Sequence, residues 1–373
     1  MRIAVLSDLH LGTRTRVDLA RRADVRARIV ERIRGFDEVV LLGDAIELRD
    51  RPLDVALAAA EPFLAELGAA LPNGRVVLVP GNHDHRLVGE TWGGRPVSGS
   101  RVQEIGPGRR GAAGAIRDRL GSALVVAYPG WRVTDGVWAT HGHYLDAHSN
   151  APTLECVLAA LTGLARRRPA MRAGSERDYE AVLAPAYGLY YRVAQRPRLH
   201  ALADAGKALV RRAEAGLGAR GPARDGGAPG RGIASLRIGG GRLGPAPGEL
   251  RRPGLLPFAL VLERLGIEAD HVLFGHTHRP GPLPGDPASS WRCRGGTALW
   301  NTGSWVYDPA RIGAHGRSSP YWPGTLVTVE GSDPPRLHHL LESIPAGPEA
   351  DARAAPAPGR GSPRLRLVGG SSP

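Results

Sequence analysis

Ile3-Ala4-Val5-Leu6-Ser7-Asp8-Leu9-His10 is the stretch from which the rest of the chain can be read. Four apolar residues running into Ser, Asp and His describe a parallel strand buried on both faces, with its polar groups at the carboxyl end. In open α/β sheets that end is where ligands bind. Asp8 and His10 stand two apart, which puts them on one side of an extended chain. A carboxylate beside an imidazole suits a divalent transition metal. An Asp-x-His pair is common by chance, so the reading depends on partners elsewhere.

The design recurs. A second apolar run at 39–42 ends in Gly43-Asp44-Ala45-Ile46-Glu47, and a third at 76–79 ends in Pro80-Gly81-Asn82-His83-Asp84. Between them Val25, Ile29, Ile33 and Phe36 keep a helical spacing, and 53–71 reads as a second helix with Pro52 at its first turn. Three strand-helix units predict an α/β layered fold. Residues 93–114 are rich in Gly and Arg without periodicity, and a mobile loop is expected there. Further strands are expected at 124–128 and at 131–140, the latter broken by an Asp135-Gly136 hairpin turn and running into His141-Gly142-His143. A helix at 255–265 precedes a strand at 271–274, which ends in Gly275-His276-Thr277-His278. A strand at 298–300 leads into Asn301-Thr302-Gly303-Ser304, and closing strands are expected at 326–329 and 337–341.

Composition sets the outer limits. The chain has 373 residues with 42% hydrophobic content, enough for a substantial core. Its net charge of +13 comes from 49 Lys+Arg against 36 Asp+Glu, and Lys207 is the one lysine. Codon bias is the plainer reading of Arg over Lys, but the excess charge still favours anionic partners. Two cysteines, Cys156 and Cys293, make no disulfide framework. No apolar run reaches the ~18 residues of a membrane span. The first strand starts at residue 2, leaving no room for a signal peptide, so a reduced, cytoplasmic setting is expected.

The character changes at 151–254, where 18 Lys+Arg face 8 Asp+Glu. Helical periodicity appears at Leu154, Val157, Leu158, Leu161 and Leu164, then across 179–193 and 199–209, while 216–248 is Gly-, Pro- and Arg-rich. This segment reads as a basic helical insertion with a flexible part, splitting a catalytic domain formed by 1–150 and 255–345. Residues 346–373 read as a disordered tail.

Seven polar groups at these strand ends make two N/O ligand sets if Asp44 bridges. One is Asp8, His10, Asp44 and His278; the other is Asp44, Asn82, His141 and His276. Two divalent ions about 3.5–4 Å apart form a clamp for in-line displacement at phosphorus and acidify a bridging water to hydroxide. Asn82 adds a neutral oxygen, so the site stays cationic and attracts phosphate. His141 is preferred over His143 as ligand because it directly follows its strand. His143, His85 and His148 are candidates to line the pocket, with His143 the substrate-binding candidate. Glu47 is expected to support rather than ligate. His271, His315, His338 and His339 have no evident partner and read as structural.

Asp8-Leu9-His10, Gly43-Asp44, Gly81-Asn82-His83-Asp84, His141-Gly142 and Gly275-His276-Thr277-His278, in that order, resemble the five blocks of the calcineurin-like metallophosphoesterase superfamily. The resemblance covers about 1–150 and 255–345. It implies a four-layer α/β/β/α sandwich and a two-metal hydrolase of phosphomonoesters or phosphodiesters. Mn²⁺ is the first choice of metal, with Fe, Zn²⁺ or Co²⁺ also accepted by such donors. It also implies that His83 assists the leaving group rather than holding metal, with Asp84 orienting its ring.

Substrate choice is left to the insertion. A helical insertion at this place is similar to the UDP-diacylglucosamine pyrophosphohydrolase branch, although that branch carries Arg where this chain has His83. The runs Arg166-Arg167-Arg168 and Arg211-Arg212 suit an anionic membrane surface or a solvated basic face. The opening Asp8-Leu9-His10-Leu11-Gly12 is similar to that of recombination-repair nucleases, but few aromatics are present to stack nucleic-acid bases. A scaffold that lost its chemistry is the non-enzymatic alternative, and intact ligand blocks argue against it.

Overall fold

The computed structural model of the chain describes residues 1–95, 97–148, 173–196 and 255–342. Two sheets stack between helices. The strands of the larger sheet, in chain order, are β1 (Arg2–Leu6), β2 (Glu38–Leu42), β3 (Arg75–Val79), β4 (Arg101–Ile105), β5 (Ala123–Tyr128), β10 (Thr325–Glu330) and β11 (Arg336–His339). Their spatial order is β11-β10-β1-β2-β3-β5-β4. β1, β2, β3 and β5 are parallel; β4, β10 and β11 run antiparallel to their neighbours. The smaller sheet is β6 (Gly130–Thr134), β7 (Val137–Thr140), β8 (His271–Phe274) and β9 (Ala298–Asn301), with β7, β8 and β9 parallel.

The continuous apolar runs follow from burial on both faces. Ile3, Val5, Val40, Leu42, Val77 and Val79 meet Val133, Val137, Ala139 and Leu273 of the second sheet. Their neighbours in chain, Ala4, Leu6, Val39, Leu41, Val76 and Leu78, meet α1 (Ala23–Ile33), α2 (Leu53–Ala70) and α4 (Ala112–Leu120) instead. This is the period-two alternation of a strand. On the far side, α6 (Leu255–Arg264) lays Leu255, Phe258 and Leu262 against Trp138, Val272, Phe274 and Leu299. The result is the four-layer α/β/β/α sandwich.

The expected loop at 93–114 is not uniform. It contains β4 and the start of α4, with α3 (Arg86–Trp92) before it. β4 is an edge strand whose Arg101, Gln103 and Glu104 stay partly or fully exposed, so backbone pairing to β5 holds it in place of an apolar pattern. α4 buries Ala112, Ala113, Ile116 and Leu120, a stripe whose first turn is written in small residues and carries little periodic signal.

Within the basic insertion, α5 (Glu176–Ala194) begins at Ser175, whose hydroxyl accepts the Asp178 backbone N–H. It buries Tyr179, Leu183 and Tyr187 with Val88 of α3, Tyr128, Tyr144 and Val261. The remaining expectations for the insertion, including the helices at 154–164 and 199–209, the arginine runs and the 216–248 segment, lie outside the described residues, as does the tail at 346–373. A short helix α7 (Pro309–Ile312) follows β9, capped by the Asp308 carboxylate. No described helix is long and apolar enough to cross a membrane.

Candidate metal centre

The carboxyl ends of β1, β2 and β3 in one sheet and of β7 and β8 in the other open onto one place. The loop after β1 runs beside the loop after β2, with His10 N–H donating to Asp44 O at 2.8 Å and Leu11 N–H to Ala45 O at 3.0 Å. His276 N–H of the second sheet reaches across to Asp8 Oδ2 at 3.0 Å. All seven candidate ligands therefore meet at the sheet ends.

Each carboxylate is held by one oxygen and presents the other. Asp8 Oδ2 takes the Ser7 hydroxyl and the His276 N–H, while Oδ1 is buried and accepts no hydrogen bond. That Oδ1 lies 3.3 Å from His278 Nε2 and 3.9 Å from His10 Nε2. Asp44 Oδ1 accepts the His83 backbone N–H at 2.8 Å, and Oδ2 lies 3.3 Å from His141 Nε2 and 3.7 Å from His10 Nε2. Asn82 Oδ1 sits 3.2 Å from His141 Nε2 and 3.1 Å from His276 Nδ1. Donor atoms of Asp8, His10 and His278, and of Asp44, His141 and His276, each gather within 4.8 Å of one another. Spacings of 3–4 Å between donors, with one buried carboxylate oxygen left over, fit a cation of N/O preference.

The imidazoles are aimed from behind. His10 Nδ1 meets Glu47 Oε2 at 3.1 Å, His141 Nδ1 donates to Leu42 O at 2.9 Å, and His276 Nε2 meets Asp146 Oδ1 at 2.9 Å. Each contact fixes a ring and turns its other nitrogen inward, the usual arrangement behind metal-binding histidines. Asn301 to Trp305 back the site: Thr302 Oγ1 lies 2.6 Å from Ser7 Oγ, and Ser304 Oγ and Trp305 N–H donate to Asp8 O at 3.2 and 3.1 Å.

Backbone conformation marks the same residues. Asp8, His10, Asp44, His276 and His278 have φ of 53°, 45°, 51°, 65° and 63°, and among the described residues Arg16 is the one other non-glycine with positive φ. L-residues avoid this region unless the surroundings enforce it, and such residues cluster at functional sites. Close approach also demands glycine: a Cβ on Gly275 would collide with Ser7 and Asp8, and one on Gly81 with Asp44 and His141.

The electrostatics are those of a cation site. Burial opposes the charge of Asp8, yet His278 and His141 hold its carboxyl down at about 2. Burial likewise works against protonation of His10 and His141, but Glu47 and Asp44 raise His10 to about 9 and Asp44 and Asp8 raise His141 to about 10. The fields that keep protons on these rings attract a divalent cation equally, and binding one displaces the protons.

Two expectations are corrected. Asp84 does not orient His83. It is fully buried and accepts the backbone N–H groups of Gly81 at 2.6 Å, Ala45 at 2.8 Å and Asp44 at 3.3 Å, tying the ends of β2 and β3 together. Burial and Asp44 raise its carboxyl to about 6. His83 is held by Glu47, whose Oε2 lies 2.7 Å from His83 Nδ1. The second correction concerns His143, which is 2% exposed and so offers little surface to a substrate; its Nε2 meets the Tyr128 hydroxyl at 3.0 Å. His85 and His148 turn instead to Glu180 and Tyr179 of α5, at 2.9 and 2.7 Å. Sequence reading missed Asp146 as the partner of His276. Its position five residues after His141 carries no motif, and a turn at 143–148 brings it back.

Residues 1–183 match the model of the family described as calcineurin-like phosphoesterase. No curated protein matches the chain.

Proposed function

Because the chain belongs to the calcineurin-like phosphoesterase family of metal-dependent phosphoester hydrolases, we propose that it is a two-metal enzyme cleaving a phosphomonoester or phosphodiester in line. The observation that carries the two-metal reading is Asp44 Oδ2, which faces His10 on one side and His141 on the other. Asp8, His10, Asp44 and His278 would hold one divalent cation, and Asp44, Asn82, His141 and His276 the second. When bound, the cations supply Lewis-acid charge and acidify water near neutral pH.

The residues of the chain do the rest. Asn82 contributes an oxygen without charge, so the site keeps the positive field that draws a phosphate in. His83 Nε2 lies 4.0 Å from Asp44 Oδ2, at the rim of the ligand set, with the ring 23% exposed. From there it donates a proton to the departing oxygen. Glu47 holds the ring by Nδ1 so that Nε2 is the nitrogen that meets substrate. Asp84 keeps the β2 and β3 ends in register through backbone N–H groups. In this reading the insertion serves as a cap, and its described helix α5 packs against Val88, Tyr128, Tyr144 and Val261 of the catalytic domain. Mn²⁺ is the first metal to try, and a cytoplasmic setting belongs to the same reading.

Metal analysis of purified protein, followed by a Mn²⁺ assay on an aryl monoester, a bis-aryl diester, a UDP-linked lipid and single-stranded DNA, tests this. Two equivalents of metal and turnover of a mono- or diester are expected. Turnover of the UDP-lipid alone would narrow the reading to the pyrophosphohydrolase alternative, and turnover of DNA alone would move it to a nuclease. Bound metal with no turnover would leave a scaffold.

A further inference from the structure

Glu47 does more than hold His83. Its second oxygen, Oε1, accepts the backbone N–H of Arg49 at 2.9 Å. Arg49 Nη1 lies 3.5 Å from His83 Nε2, and its guanidinium packs over the ring of Tyr190 on α5 at 4.1 Å from the centroid. Just past the end of the same helix, Gln195 grips the loop further on, where its Nε2 donates to Arg51 O and the Leu53 N–H donates to its Oε1, both at 3.2 Å. One carboxylate and one helix of the insertion thus fix a cation beside the nitrogen that faces the departing oxygen.

That placement has a chemical consequence. An oxygen hydrogen-bonded to His83 Nε2 would sit within a few ångströms of the Arg49 guanidinium. In a simple alkyl or aryl leaving group, the next atoms are carbon and offer the guanidinium nothing. In a phosphoanhydride, the next atom is a second phosphorus, whose non-bridging oxygens suit the fork of an arginine. We propose that Arg49, positioned by Tyr190, selects a departing group that carries its own phosphate, so that the preferred substrates are phosphoanhydrides. Water adds through its oxygen to the attacked phosphorus and releases a proton to solvent, the bridging P–O bond breaks, and the departing fragment leaves as a phosphate monoester, its bridging oxygen taking the proton of His83, which solvent then restores. The inference rests on His83 as the proton donor.

The test compares ADP-ribose, a phosphoanhydride, with bis(p-nitrophenyl) phosphate, on the full chain loaded with Mn²⁺. Arg49→Ala should lower kcat/KM for ADP-ribose at least tenfold more than for the aryl diester, and weaken binding of α,β-methylene-ADP about tenfold by calorimetry. Arg49→Lys should fall between, since it keeps charge without the fork. Tyr190→Ala should raise KM for ADP-ribose with little change in kcat, and Tyr190→Phe should restore it. Thermal melting of each variant separates loss of fold from loss of selectivity. Equal losses on both substrates, or unchanged methylene-ADP binding, would overturn the role of Arg49. Cleavage of the diester with none of ADP-ribose would overturn it while leaving the hydrolase reading intact. If neither substrate is cleaved, the hydrolase reading falls and the binding measurement alone decides Arg49.

Discussion

Glu47 Oε2 lies 2.7 Å from His83 Nδ1, and the same oxygen lies 3.1 Å from His10 Nδ1. One buried carboxylate therefore aims both a candidate metal ligand and the candidate proton donor. Burial works against its charge, but His83 and His10 outweigh that and hold the carboxyl below its ordinary range. Glu47→Gln keeps the shape, but with its amide oxygen on the two Nδ1 atoms its NH₂ is turned onto the Arg49 and Asp50 backbone N–H groups, which it cannot accept. Turnover should fall about 10- to 100-fold, the usual cost of disturbing a partner behind a ligand. Steady-state kinetics with metal analysis checks this, and an unchanged kcat would show that neither ring needs Glu47.

His83 and Asp44 separate proton donation from metal binding. His83→Ala should keep the metal content of the wild-type protein and lose roughly 10²- to 10⁴-fold in turnover, the range of general acid catalysis. Asp44→Asn should lose metal, because Oδ2 serves both ligand sets. Asp146→Asn, behind His276, should weaken one metal only, by about 10- to 100-fold in affinity. Equal metal loss from the His83 and Asp44 variants would mean that His83 is itself a ligand.

The left-handed backbone at His278, φ 63°, gives a test of stored strain that needs no substrate. In most positions alanine is more stable than glycine. Here the order should reverse, with metal-free His278→Gly more stable than His278→Ala by about 1 kcal/mol, since only glycine adopts this φ without cost. Denaturant unfolding in a chelator measures it. A more stable alanine variant would show that the loop relaxes when the side chain is removed.

Most strands, and the candidate ligands at their ends, were legible because they obey short-range rules. An apolar run ending in Asp, Asn or His states both its burial and its chemistry, and glycine beside each ligand states close approach. What was hidden is set by distance in sequence. Glu47 finds His83 across 36 residues and Asp146 finds His276 across 130, and no local pattern announces either pairing. Asp84, next to His83 in the chain, is the nearer guess, but its carboxylate is taken by the backbone of the loop after β2, 38 to 40 residues away. β4 was hidden for another reason: an edge strand half in water need not be apolar.

The attachment of α5 should depend on pH through Glu180. Its carboxylate is partly buried and accepts the Tyr128 and Tyr144 hydroxyls, the latter at 2.8 Å, with His85 Nε2 at 2.9 Å. Burial pushes its carboxyl up, but His85 and the two hydroxyls outweigh that and hold it below the ordinary 4.5. A group depressed in the folded state adds stability that is full above its unfolded value and is lost as pH falls through the folded one. Protection of the α5 amides from hydrogen exchange should therefore be complete near pH 6 and fall below about pH 4.5. Glu180→Gln should remove this acid dependence and lower protection at neutral pH by about 1–3 kcal/mol, the cost of leaving buried partners imperfectly met. The same acid-induced loss of protection in the Gln variant would assign the dependence to another group.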